Sequence, residues 1–158
     1  MSKNSAYHTK SNRKKDDYKR ANHTVHACDY HVIWCTKYRK KWLSPKIQDR
    51  LKEIIEEKQE EYNYEVIAIE TMPDHIHLLV SIAPHFNVTE IIGKIKGYSS
   101  KVLRKEFRWL RRIRSLWTRS KFVSSTGGVT LDILKEYIKN QKAPQQLGLF
   151  DQIMDDIS

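Results

Sequence analysis

Cysteine is scarce in this chain. Its 158 residues hold two, Cys28 and Cys35, seven apart and with no CxxC pair. That usage excludes a disulfide framework and a thiolate zinc site, and both thiols are expected to sit reduced on a strand, as in a cytoplasmic protein. Long hydrophobic runs are missing as well. Nothing approaches the roughly eighteen apolar residues of a membrane helix, and the opening MSKNSAYHTK lacks the apolar stretch of a secretory signal. There is no P-loop, no GxGxxG and no internal repeat, so a nucleotide-driven mechanism has no support. With 39% hydrophobic residues, the length suits one compact domain with its own core.

Acidic charge is nearly absent from one stretch. Between Lys94 and Lys121 stand eleven Lys or Arg against a single acid, Glu106, in a chain of formal net charge +10. A lone lysine is most simply a solvated side chain; a field this strong attracts polyanions, and nucleic acid is the commonest large one. An anionic membrane suits it less, because the segment mixes charges around the helix without a clean apolar face.

Residues 1–22 are polar, basic and aperiodic, and are expected to form a disordered tail with weak phosphate contacts. The text then changes to HACDYHVIWCTKYR, whose β-branched and aromatic residues predict a first strand. Ser44 and Pro45 open a helix running to about Tyr62, with Ile47, Leu51, Ile54 and Ile55 on one face and a mildly acidic outer side. YEVIAIE and HIHLLVSI predict a hairpin joined by TMPD. Asn87 and Glu90 form a capping box for a long helix ending near Phe107, whose outer side begins the basic stretch. LWTRSKFVSS predicts a fourth strand, in which Trp117 belongs to the core. Gly127-Gly128 follows, readable as a hinge or as a plain turn, then a last helix from Thr130 to about Lys142 and a tail over 143–158. The order is α+β: a single domain, residues 23–142, with an antiparallel sheet covered by helices on one face and the other face left for chemistry.

His75 and His77 lie one residue apart on the third strand and share a face of the sheet. Two imidazoles there can hold a metal ion or can be the polar side of an ordinary sheet; alone, the pattern favours the sheet. On the last helix Tyr137 and Gln141, four apart, flank the stripe of Leu131, Leu134 and Ile138. A tyrosine so placed is more often packing than catalysis.

Five blocks occur in order: CDYHVIWCTKYRK, VIAIETMPDHIHLLVSI, IIGKIKGYSSKVLRKEF, LWTRSKFVSSTGG and EYIKNQ. Together they closely resemble the single-tyrosine HUH transposases of the insertion sequence 200/605 family, over about residues 24–142. HUH denotes His, a hydrophobic residue and His, here His75, Ile76 and His77.

The resemblance implies a ferredoxin-like, RRM-like sheet with a mobile C-terminal helix carrying the nucleophile. It implies that Tyr137 attacks a phosphodiester of single-stranded DNA, leaving a 5′-phosphotyrosine and a free 3′-hydroxyl. His75, His77 and Gln141 then match the metal ligands, for Mg²⁺ or Mn²⁺, with imidazole chemistry favouring Mn²⁺ in vitro. The expected substrate is single-stranded DNA with imperfect hairpin ends, bound by a homodimer whose active sites combine residues of both subunits. Lys94, Lys96, Lys101, Arg104, Lys105, Arg111, Arg112 and Arg114 are candidates for holding the hairpin phosphates. Trp109 is a candidate for stacking on unpaired bases. Two other readings share parts of this pattern: a non-catalytic hairpin-binding module, and a host-adopted relative that processes chromosomal hairpin repeats.

Overall fold

The structure, a computed structural model, describes residues 19–21, 24–26, 28–126, 136 and 155–157. In chain order these form β1 (Lys19–Ala21), β2 (Thr24–His26), β3 (Asp29–Cys35), α1 (Pro45–Glu57), α2 (Gln59–Tyr62), β4 (Tyr64–Thr71), β5 (His75–Ile82), α3 (Val88–Glu106) and β6 (Phe122–Ser125). Alternating side chains on β3 and β5 build one antiparallel sheet of order β4-β5-β3-β6. Its register sets Trp34 opposite Ile76 and Ile33 opposite His77. Val32, Trp34, Ile76, Leu78, Val80 and Ile82 fall on one face and pack against Ile47, Leu51, Ile54 and Ile55 of α1 and Ile91, Ile92, Ile95 and Leu103 of α3. Each such side chain, once fully buried, contributes roughly 1.5–3 kcal/mol. This is the expected α+β architecture, and both cysteines are free thiols.

The elements depart from expectation in physically legible ways. The first helix breaks at Lys58 (φ −99°, ψ 5°), and its last turn stops at Asn63, whose left-handed φ of 59° ends the run. Ser44 precedes α1 without bonding its side chain to the helix. Gln48 instead turns back and donates to the Leu43 carbonyl at 2.8 Å. Asn87 does cap α3, its Oδ1 accepting from the Glu90 amide at 3.2 Å. A bulge between Val66 and Ala68 shifts the register on β4. Lys19–Ala21, inside the stretch read as a tail, pairs antiparallel with Thr24–His26.

The fourth strand is shorter than the sequence predicts. Trp117 is buried, as expected, and makes an isolated bridge with Thr36, but regular pairing starts only at Phe122. Between them the Lys96 ammonium donates to the carbonyls of Thr118 (2.9 Å), Arg119 (3.3 Å) and Ser120 (2.8 Å), and carbonyls so engaged are drawn toward α3.

The sheet's second face is also less open than expected. Every residue of β5 is buried, and on this face Ile33, Cys35 and Phe122 pack with Ile157. Gly127-Gly128 and the helix predicted from Thr130 to Lys142, apart from Glu136, lie outside the described residues.

Candidate active site

β5 carries the site. Because β5 alternates, His75 and His77 share the face away from α1 and α3, their ring centroids 5.2 Å apart. His75 is 8% exposed and His77 fully buried. Each ring is oriented through Nδ1. His75 Nδ1 lies 2.6 Å from Oδ1 of Asp74, and His77 Nδ1 lies 3.1 Å from Nε2 of His31, the two rings stacked at 5.4 Å. Asp74 in turn lies 3.5 Å from the Arg39 guanidinium. With Nδ1 so engaged on both rings, each histidine would ligate through Nε2, and a carboxylate behind an imidazole, as Asp74 stands behind His75, is the usual support of a metal-binding histidine.

The charge states agree with that use. Burial lowers His77 to about 2, helped by the charges of His75 and His31. Burial alone lowers His31 to about 4, so both rings are neutral near pH 7. Burial pushes the Asp74 carboxyl up, but its hydrogen bond to His75 and the charges of His75 and Arg39 hold it below the ordinary carboxylate range. Among the described residues no cluster of three or more His, Cys, Asp or Glu is arranged to hold a metal. Two imidazoles are therefore what this region offers, a donor set suited to an ion that completes its shell from elsewhere. Tyr137 and Gln141, the expected nucleophile and third ligand, lie outside the described residues.

The basic candidates separate into two groups. Lys94, Lys101, Lys105, Arg111, Arg112 and Arg114 are exposed. Gly97, Ser100, Lys101, Arg104, Lys105 and Arg111 line an open groove of about 530 Å³ where α3 meets the turn over Arg108–Arg112. Lys96 does not belong with them: it is buried, and its ammonium is given to the three carbonyls of 118–120. Arg104 lines the groove while also donating to the Ile113 carbonyl at 2.6 Å. Trp109 is 46% exposed, as a stacking residue must be.

Read from the sequence, Asp74 has only turn chemistry, and His31 and Arg39 have no role at the site. Asp74 adjoins His75, and that adjacency was a usable signal. His31 becomes visible only with the β3–β5 register, which a single sequence does not fix.

Comparison with known proteins places the chain in a family. The "Transposase IS200 like" family matches residues 24–141. The chain belongs to the IS200-like transposases. It is 32% identical to the ISDra2 transposase TnpA of Deinococcus radiodurans over 120 residues, covering 74% of this chain and 86% of the relative. It is likewise 32% identical to the transposase for insertion sequence element IS200 of Salmonella typhimurium over 135 residues, covering 84% and 88%. A crystal structure of a candidate transposase from D. radiodurans R1 superposes with TM-score 0.65 at 31% identity, covering 78% of this chain and 97% of that one. A REP-associated tyrosine transposase bound to a REP hairpin shares the fold, with TM-score 0.54 at 14% identity, covering 78% and 73%. As an IS200-like transposase, the protein cleaves and transfers DNA, and among the described residues no helix is long and apolar enough to cross a membrane.

Proposed function

We propose that this transposase cuts and rejoins single-stranded DNA at the ends of an insertion sequence, through a 5′-phosphotyrosine on Tyr137. The observation that carries the reading is the pair of imidazoles on one face of β5, each fixed through Nδ1 by its own neighbour, in a chain of this family. The phenol of Tyr137 gives its proton to water as its oxygen attacks phosphorus, the P–O3′ bond breaks, and the departing 3′-oxygen takes a proton from water to become a hydroxyl. A second 3′-hydroxyl attacking the phosphotyrosine reverses these events and joins a new strand, so no nucleotide is consumed.

His75 and His77, with Gln141 as third donor, would hold a divalent ion, Mg²⁺ or Mn²⁺. When bound, such an ion supplies charge that polarises the scissile phosphate and stabilises the leaving 3′-oxygen. Asp74 and His31 keep the two rings from rotating away from the phosphate. The groove of Lys101, Lys105 and Arg111 holds hairpin phosphates at the DNA ends. A homodimer, with each tyrosine serving its partner's histidines, completes the reading.

The test is cleavage of a labelled single strand carrying the hairpin ends that flank the gene. Wild type with Mn²⁺ is expected to cut it, whereas His77→Ala, or wild type with EDTA, cuts about 10²–10³-fold more slowly. Cutting that persists at the wild-type rate in His77→Ala would remove the histidine pair from the reaction. Tight hairpin binding with no cutting by wild type would favour the non-catalytic binding module.

A further inference from the structure

Tyr38 stands 72% exposed on a backbone that side-chain-bearing residues avoid. It and Arg39 both have left-handed φ, 58° and 50°, and two such residues in succession persist only where the surroundings impose them. Here they do. The Thr36 amide donates to the Asp74 carbonyl, the Lys37 amide to that of Leu116 and the Leu43 amide to that of Pro73, each at 2.9 Å, while Thr36 Oγ1 donates to the Lys40 carbonyl at 2.6 Å. Fastened on both sides, the loop turns Arg39 back toward Asp74 and throws the Tyr38 ring outward. Lys37 Nζ sits 4.9 Å from that ring's centroid, and Lys40 and Lys41 are exposed beside it. Four of the five residues 37–41 are cationic, and no acid follows before Asp49.

We infer that Lys37–Lys41 is a second nucleic-acid contact, a stacking platform for an unpaired nucleotide of the strand being cut. The Tyr38 ring lies against one base, and Lys40 and Lys41 hold the phosphates on either side of it. The inference rests on the single-strand reading above. An exposed ring that adds nothing to the core offers its face to a flat partner, and a base offers its whole face only when unpaired. The cations flanking the ring match the phosphates of a nucleic-acid strand. Position agrees: Arg39 beside Tyr38 approaches Asp74 at 3.5 Å, and Asp74 holds the His75 ring at 2.6 Å. The platform therefore adjoins the histidine pair.

The test uses the full chain and fluorescence anisotropy with two probes: an oligothymidylate of about twelve nucleotides, and a blunt hairpin without an unpaired flank. Tyr38→Gly is the decisive variant, because glycine adopts left-handed φ without strain and the melting temperature should not fall. It is expected to weaken oligothymidylate binding about tenfold or more, as loss of one base–aromatic stack does, while leaving the blunt hairpin unaffected and Tyr38→Phe close to wild type. Unchanged oligothymidylate affinity in Tyr38→Gly would overturn the platform, as would equal weakening of both probes or a change in sedimentation of the free protein. A wild-type chain that binds no single strand would sink the platform and the single-strand reading together. A wild type that binds but never cuts, with the Tyr38 dependence intact, would sink only the proposed reaction.

Discussion

His31 and His77 make an acid-sensitive pair. Buried and stacked, they titrate at about 4 and about 2 in the folded chain, against about 6.5 when unfolded. From pH 6.5 down toward 4 the unfolded chain therefore binds up to two more protons than the folded one, so stability falls as pH falls. Each histidine contributes a slope of about 1.4 kcal/mol per pH unit over that window. Urea unfolding between pH 6.5 and 5 should show this loss, and His31→Asn, which keeps a polar partner for His77, should reduce the slope by about half. A flat profile over the same range would mean that the rings are solvated. Of this site, His75 and His77 were legible because alternation on a strand depends only on spacing. His31 was not: it lies 46 residues from His77, and their meeting depends on a register that no local pattern encodes.

At the scale of the element, α3 does two jobs that the sequence merged into one. Its capping box and apolar stripe announced a helix, and its lysines looked alike. Burial separates them. Lys96 is lowered to about 8, by burial first and then by the charge of Lys121, and it anchors residues 118–120. Lys105 is exposed beside the groove. Lys96→Met should therefore destabilise the fold by about 2–4 kcal/mol, since it leaves three carbonyls without a charged donor. Lys105→Ala should change stability by less than about 0.5 kcal/mol yet lower the salt dependence of hairpin binding by about one charge. Denaturant melts and titrations at several salt concentrations check both. The shortened β6 has the same origin. Strand periodicity over 116–125 locates the strand but overextends it to the N-terminal side, because it carries no sign of a lysine reaching across from another element to take three carbonyls out of the ladder.

For the whole molecule, the sheet acts as a partition. α1 and α3 cover one face, and the basic groove lies on the outer side of α3; the histidine pair is on the opposite face of β5. On the proposed reading, a DNA end held at the groove passes an unpaired segment around the sheet to the histidines, and the Lys37–Lys41 loop stands beside the Asp74–His75 end of that path. The α+β order was legible because each core element carries its own period and cap. That the C-terminal segment could dock was legible from Leu149, Phe150, Ile153 and Met154; that Ile157 packs on the second face was not, since an apolar residue in a tail announces neither where it docks nor against what.

The most direct test of the account is to trap the reaction midway. Wild-type protein, Mn²⁺ and a single strand ending just beyond the cleavage site would be quenched and digested, and the peptides sequenced by mass spectrometry. The account predicts a nucleotide joined through its 5′-phosphate to Tyr137, absent with EDTA and absent in Tyr137→Phe. A covalent nucleotide on any other residue, or cleavage with no protein–DNA bond at all, would contradict it.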